Sequence, residues 1–223
     1  MENKNDLQDI ENLLKIMARL RAPDGCPWDR AQDHHSIAPD LLEESAELLE
    51  AIETNDDTEM LEELGDLLLQ IVFHSQLAKE RGAFGFHDVV RVLSEKLIRR
   101  HPHVFGNSNA KDIDVIWEQW ERIKKEEKSG TDHERKSALD GIPPTLTALM
   151  RAQKLFKKAN KAKLLDPAEI PSADAMTQEQ MTQELFRIAQ IAQLNGWDAE
   201  SLLRNETRRR EADYRKRESS GKK

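Results

Sequence analysis

Cysteine is nearly missing from this chain. Cys26 stands alone among 223 residues, which excludes an intrachain disulfide and a thiolate cluster for zinc. It reads as a small residue in a turn. Aromatics make up 5% of the chain, with a single tyrosine and nine glycines; a β-sandwich would want more aromatic and β-branched residues. No apolar run approaches the roughly 20 residues of a membrane span. Met-Glu-Asn-Lys-Asn-Asp at the N-terminus lacks the apolar stretch of a signal peptide, so the expected location is the cytoplasm. Excess positive charge is lacking too: a formal charge of −8 argues against general nucleic-acid binding. Hydrophobic content of 38% is low for a compact monomer and suits a helical bundle whose apolar surface is partly covered by a partner subunit.

What the chain does have is helical periodicity. Leu7, Ile10, Leu13, Leu14, Met17 and Leu20 mark a first helix over about 6–21. Ala22-Pro23-Asp24-Gly25-Cys26-Pro27 ends it. A second helix is expected from Ser36, read as its N-cap, to about Thr54. After the turn Asn55-Asp56-Asp57, a third runs over about 58–81, and so short a connection makes these two antiparallel neighbours. Further helices fit 87–100, 113–128, 146–161, 178–195 and 198–217, with no strand-like alternation. The expectation is an all-α chain. Its domains are expected at 1–128 and 146–223, joined by a hydrophilic linker at 129–145.

Acids crowd residues 43–66, whereas the last twenty residues carry nine Lys or Arg against four acids. In that tail Arg and Glu are interspersed with no aromatic beyond Tyr214, the pattern of a solvated helix end. Glu43-Glu44-x-x-Glu47 and Glu63-x-x-Asp66 place Glu44 beside Glu47, and Glu63 beside Asp66, one helical turn apart. These four continue the apolar faces of their helices, where Leu41, Leu48 and Ala51 accompany the first pair and Met60, Leu67, Ile71 and His74 the second. Core-directed carboxylates repel and are costly without cations between them. Oxygen-only ligation suits magnesium, or manganese, better than iron or calcium. A di-iron bundle would use Glu-x-x-His pairs, and none of the seven histidines stands three residues after a glutamate. An EF-hand places its ligands on a glycine-containing loop.

Four motifs occur in order: Gly25-Cys26-Pro27-Trp28-Asp29, Leu42-Glu43-Glu44-x-x-Glu47, Glu63-Leu64-Gly65-Asp66-Leu67-Leu68 and Arg99-Arg100-His101-Pro102-His103-Val104-Phe105. Together they closely resemble the MazG family of nucleoside triphosphate pyrophosphohydrolases, over roughly residues 7–160. The resemblance implies an all-α fold, assembly as dimers of helical bundles or higher homo-oligomers, and magnesium-dependent cleavage of nucleoside triphosphates to monophosphate and pyrophosphate. It also implies that Glu44, Glu47, Glu63 and Asp66 are the magnesium ligands. Glu43, next to a ligand, is a candidate general base for the attacking water, with an orienting or surface role as the alternative. Lys96, Arg99 and Arg100 lie at i, i+3 and i+4 near a helix end. They are candidate phosphate partners, foremost Lys96 and Arg100, although cations are favourable there by dipole alone. His101 and His103 are expected to shape the following turn. Trp120 with Lys124 matches the family's nucleotide-contacting pattern, an indole face suiting base stacking. Trp28 either lines the base pocket or braces its loop.

Longer members of the family carry two related domains. Here Ala148-Leu149-Met150-Arg151-Ala152-Gln153-Lys154 matches the usual start of the second, but no Glu-Glu-x-x-Glu follows. Gln180-x-x-Gln183 stands where the family has Glu-x-x-Asp, and neutral amides hold magnesium poorly. Any chemistry is therefore expected in the first domain. Two alternatives stay open: a catalytically weak nucleotide-binding or interaction protein, and a narrower enzyme acting on dUTP or phosphoribosyl-ATP.

Overall fold

The computed structural model describes residues 8–108, 111–172 and 174–221. All regular structure among them is helical, as composition and periodicity lead one to expect. The chain divides into two compact units, Met1–Trp117 and Glu118–Lys223.

The first unit contains α1 (Ile10–Leu20), α2 (Pro27–Ala31), α3 (Asp40–Thr54), α4 (Asp57–Glu80), α5 (Phe86–Arg100), α6 (Pro102–Phe105) and the start of α7 (Ile113–Glu126). α3 ends at Asn55, which takes the left-handed conformation at φ 56°, and α4 begins at once. The Asp56 carboxylate accepts from the N–H groups of Thr58 and Glu59 at 3.0 and 3.2 Å. A left-handed stop followed directly by an Asp cap folds α4 back along α3. Around this hairpin, Met17, Ile37, Val72, Phe73 and Leu77 form the buried core, with Leu13, Leu14, Leu68 and Phe86 packed against it. Arg21 ties the end of α1 to α4. Its guanidinium is 8% exposed and donates to both Glu80 oxygens at 2.8 Å. It also donates to the carbonyls of Asp29 and Gln32, which pins the Pro27–Gln32 segment to the same place.

Two features differ from the sequence expectation. α3 starts at Asp40, not at Ser36. Ala38 precedes Pro39, and that position is steered out of helical geometry. Asp33, rather than Ser36, organises the turn: its carboxylate accepts from the N–H groups of His35 and Ser36 at 2.7 and 2.9 Å. Secondly, Pro27, read as part of a helix-ending stretch, opens a short helix, α2, and Pro102 likewise opens α6. Proline at the first helical position gives up no hydrogen bond the helix would have made.

The second unit holds the remainder of α7, α8 (Ala148–Lys161), α9 (Gln178–Leu194) and α10 (Ala199–Ser219). Here α8 packs on α10 around Leu139, Leu155, Ala159, Leu164 and Tyr214. Ion pairs frame this core. Arg151 pairs with Glu211, Arg215 bridges Glu211 and Asp140 at 2.8 Å each, and Arg217 holds Glu169. The Arg217 guanidinium and the Asp166 backbone N–H together pull the Glu169 carboxyl down to about 2.

Candidate metal centre

Antiparallel α3 and α4 bring their acidic turns face to face. One carboxylate oxygen each from Glu44, Glu63 and Asp66 lies within 4.8 Å of the other two. All three residues are half-buried. Glu44 and Glu63 are both held above the ordinary carboxylate range. Burial is the main cause in each; the next is the charge of Asp66 for Glu44 and of Glu47 for Glu63. Glu47 is exposed and stands outside the three-atom cluster, yet its charge bears on both neighbours. Glu43 is also exposed and adds to the repulsion at Glu44.

One atom tests what this arrangement suits. Glu63 Oε2 is shielded from solvent and has no hydrogen-bond partner. A shielded carboxylate oxygen among like charges is unfavourable unless a proton or a cation joins it. Carboxylate oxygens converging without nitrogen or sulfur fit a hard divalent cation, so these residues could hold one.

The other expected site residues stand on further elements. Arg99 and Arg100 occupy the last turn of α5 and Lys96 lies one turn before Arg100, with Lys96 and Arg100 half-buried and Arg99 exposed. Trp28 sits on α2 and is 61% exposed. Trp120 and Lys124 lie on the part of α7 that belongs to the second unit. There the Lys124 ammonium sits 4.5 Å from the centre of the Trp120 ring and 3.6 Å from a Glu121 oxygen, a cation–π arrangement that already engages the indole. His101 Nδ1 meets the Leu97 carbonyl at 2.6 Å, at the end of α5.

The α4 face carrying Glu63 and Asp66 continues into polar residues that the motif spacing does not single out. Gln70 is 6% exposed, and its Oε1 has no partner. His74 lies one turn further on. Its ring stacks on His34 with centroids 5.1 Å apart, the two Nδ1 atoms meet at 2.8 Å, and both Nε2 atoms are buried without partners. Burial, followed by the charge of His34, lowers the pKa of His74. The only sequence signal for Gln70 is its position four residues after Asp66 and seven after Glu63.

Comparison with known proteins adds independent findings. A model of the MazG nucleotide pyrophosphohydrolase domain matches residues 32–105. That window contains the acidic residues and the α5 cations but not Trp28, Trp120 or Lys124. The chain is 40% identical over 230 residues to the nucleoside triphosphate pyrophosphohydrolase/pyrophosphatase MazG of Thermotoga maritima, across 94% of this chain and 85% of the relative. It is 49% identical over 153 residues to the nucleoside triphosphate pyrophosphohydrolase of Escherichia coli K12, across 68% of this chain but 57% of that protein. It therefore spans little more than half the length of the Escherichia coli relative. A crystal structure of a mazG-related protein from Thermotoga maritima aligns with a TM-score of 0.45 at 25% identity, over 52% of this chain and 99% of that one.

Proposed function

The chain belongs to the MazG family, and on that premise we propose that it hydrolyses nucleoside triphosphates to monophosphate and pyrophosphate with magnesium at the α3–α4 centre. The observation that carries this reading is the convergence of Glu44, Glu63 and Asp66 within 4.8 Å, with Glu63 Oε2 shielded and unpartnered. Glu44, Glu47, Glu63 and Asp66 would hold magnesium, or manganese in its place. When bound, the cation supplies charge neutralisation and polarisation at the phosphates. Glu43, exposed beside Glu44, takes the proton of the attacking water. Lys96 and Arg100, with Arg99, pair with phosphate oxygens. Trp28, and Trp120 with Lys124, are the candidate contacts for the nucleoside.

The second unit supports assigning the chemistry to the first. Gln180 is occupied as part of a helix cap: its Oε1 accepts from the Thr177 N–H at 2.9 Å, while the Thr177 hydroxyl accepts from the Gln180 N–H at 3.2 Å. Gln183 donates to Glu179 at 3.5 Å. Amides so used replace the acidic pair the family carries there. Exposed Leu42, Leu49, Leu61, Leu64 and Leu69 on α3 and α4 support assembly with a second copy of the chain, since apolar surface of this extent favours burial. Among the described residues no helix is long and apolar enough to cross a membrane, in keeping with a proposed cytoplasmic location.

The test is pyrophosphate release from a panel of ribo- and deoxyribonucleoside triphosphates with and without magnesium. Turnover that requires the metal and vanishes in Glu63→Gln, with helical content retained, is the expected result. Undiminished turnover in that variant would sink the site assignment. Turnover of dUTP or phosphoribosyl-ATP alone would narrow the substrate, and no turnover despite tight nucleotide binding would make the chain a binding protein.

A further inference from the structure

Glu63, Asp66, Gln70 and His74 share one face of α4. At about 100° per residue they fall within an arc of roughly 80°, and they rise along the axis by about 1.5 Å per residue. The face thus runs from the acidic cluster to the His34–His74 pair over roughly 16 Å, the scale on which a nucleotide extends from its phosphates to its base. Buried polar groups in folded proteins nearly always find partners. Along this stripe Gln70 Oε1, His74 Nε2 and His34 Nε2 all lack one, as does Glu63 Oε2 at its acidic end. Gln70 is 6% exposed, so bulk solvent does not reach its unpartnered oxygen.

The histidine pair constrains its own chemistry. A hydrogen bond between two Nδ1 atoms needs one Nδ1–H and one bare Nδ1. In the neutral pair the first ring then has a bare Nε2 and the second an Nε2–H. The pair therefore presents one acceptor and one donor, and exchanging both tautomers exchanges them. Beside these stands the Gln70 amide, whose unpartnered oxygen accepts.

We propose that Gln70 and the His34–His74 pair form the base-reading end of the substrate groove, with Gln70 the specificity-determining residue. This rests on the triphosphate reading of the acidic cluster and deepens it. A nucleobase edge offers hydrogen-bond donors and acceptors side by side, the complement of this set. The tautomer exchange lets the pair meet either order of donor and acceptor, so the site accepts more than one base while still rejecting a triphosphate that has none. His34 is the part that moves to admit the base, because it stands on the Asp33–Ile37 turn while Gln70 and His74 are fixed on α4.

The experiment compares binding of nucleoside triphosphates and of inorganic tripolyphosphate, which carries phosphates but no nucleoside, by calorimetry with magnesium. Wild type is expected to bind the nucleotides at least tenfold more tightly. Gln70→Met, close in volume but unable to accept in the same way, is expected to erase most of that preference, as is His34→Phe, while tripolyphosphate affinity and helical content stay unchanged. An unchanged preference in both variants would overturn the proposal and leave the stripe to buried water. A loss confined to ribonucleotides would also overturn it, since the sugar hydroxyl would then be the group read. Pyrophosphate release by wild type is scored separately. Its absence would remove the hydrolase reading, yet a nucleoside preference that Gln70→Met erases would still uphold the base-reading assignment.

Discussion

Magnesium should stabilise this protein through the first unit, and the size of the effect follows from the unit's length. A ligand that binds only the folded state at 100 times its dissociation constant adds about 2.7 kcal/mol. Unfolding entropy near 60 °C is about 2.1 cal/mol/K per residue. Over the Met1–Trp117 unit this amounts to roughly 0.25 kcal/mol per degree, so saturating magnesium is expected to raise the melting transition by roughly 10 °C. The perturbation is Glu63→Gln, which removes the charge of a proposed ligand whose Oε2 is shielded and unpartnered while keeping its shape. Without metal the variant should be at least as stable as wild type, because Glu63 faces the charges of Glu47, Asp66 and Glu44. With metal it should show little or no upward shift. Differential scanning calorimetry across a magnesium titration, with EDTA as the zero, reads both. Equal shifts in wild type and variant would refute the reasoning, as would a variant markedly less stable in EDTA, since Glu63 would then be an ordinary structural residue.

Four further outcomes are expected. Glu44 and Glu63 titrate above the usual value of 4.5 when folded, so in the metal-free protein their contribution to stability is present below 4.5 and lost as pH rises through the raised values. Denaturant melts in EDTA over pH 4–7 should trend that way. Magnesium affinity should in turn weaken as pH falls through the same range, with proton release measurable by calorimetry in two buffers. Arg21→Met removes the guanidinium from Glu80 and from two loop carbonyls and should cost about 2–3 kcal/mol in urea denaturation. Ile37→Ala empties a site that is 2% exposed and should cost about 2–4 kcal/mol, read in the same assay.

Much of this protein is legible in its residue order because its helices are announced locally. Asp56, Asn55, Gly85 with Asp88, and the proline that opens α6 act within a few residues of themselves. Caps and breakers of that kind can be read without knowing the fold. The start of α3 was less legible, since Ser36 suits a cap but Pro39, three residues later, holds the helix back to Asp40. The pairing of Glu44 with Glu63 and Asp66 was also foreseeable, because a two-residue turn leaves α3 and α4 no arrangement except antiparallel neighbours.

The order of residues alone determined the all-α class, the family and the acidic residues worth watching, since each depends on spacing within single helices and on one short turn. Tertiary structure decided which of these atoms converge. It drew Glu44, Glu63 and Asp66 together and left Glu47 at the exposed edge. It seated Trp120 and Lys124 in the second unit, and it stacked His34 on His74 beside an unpartnered Gln70. Such facts depend on how distant segments pack and on which polar atoms lose water when they do, and neither is encoded in any local pattern.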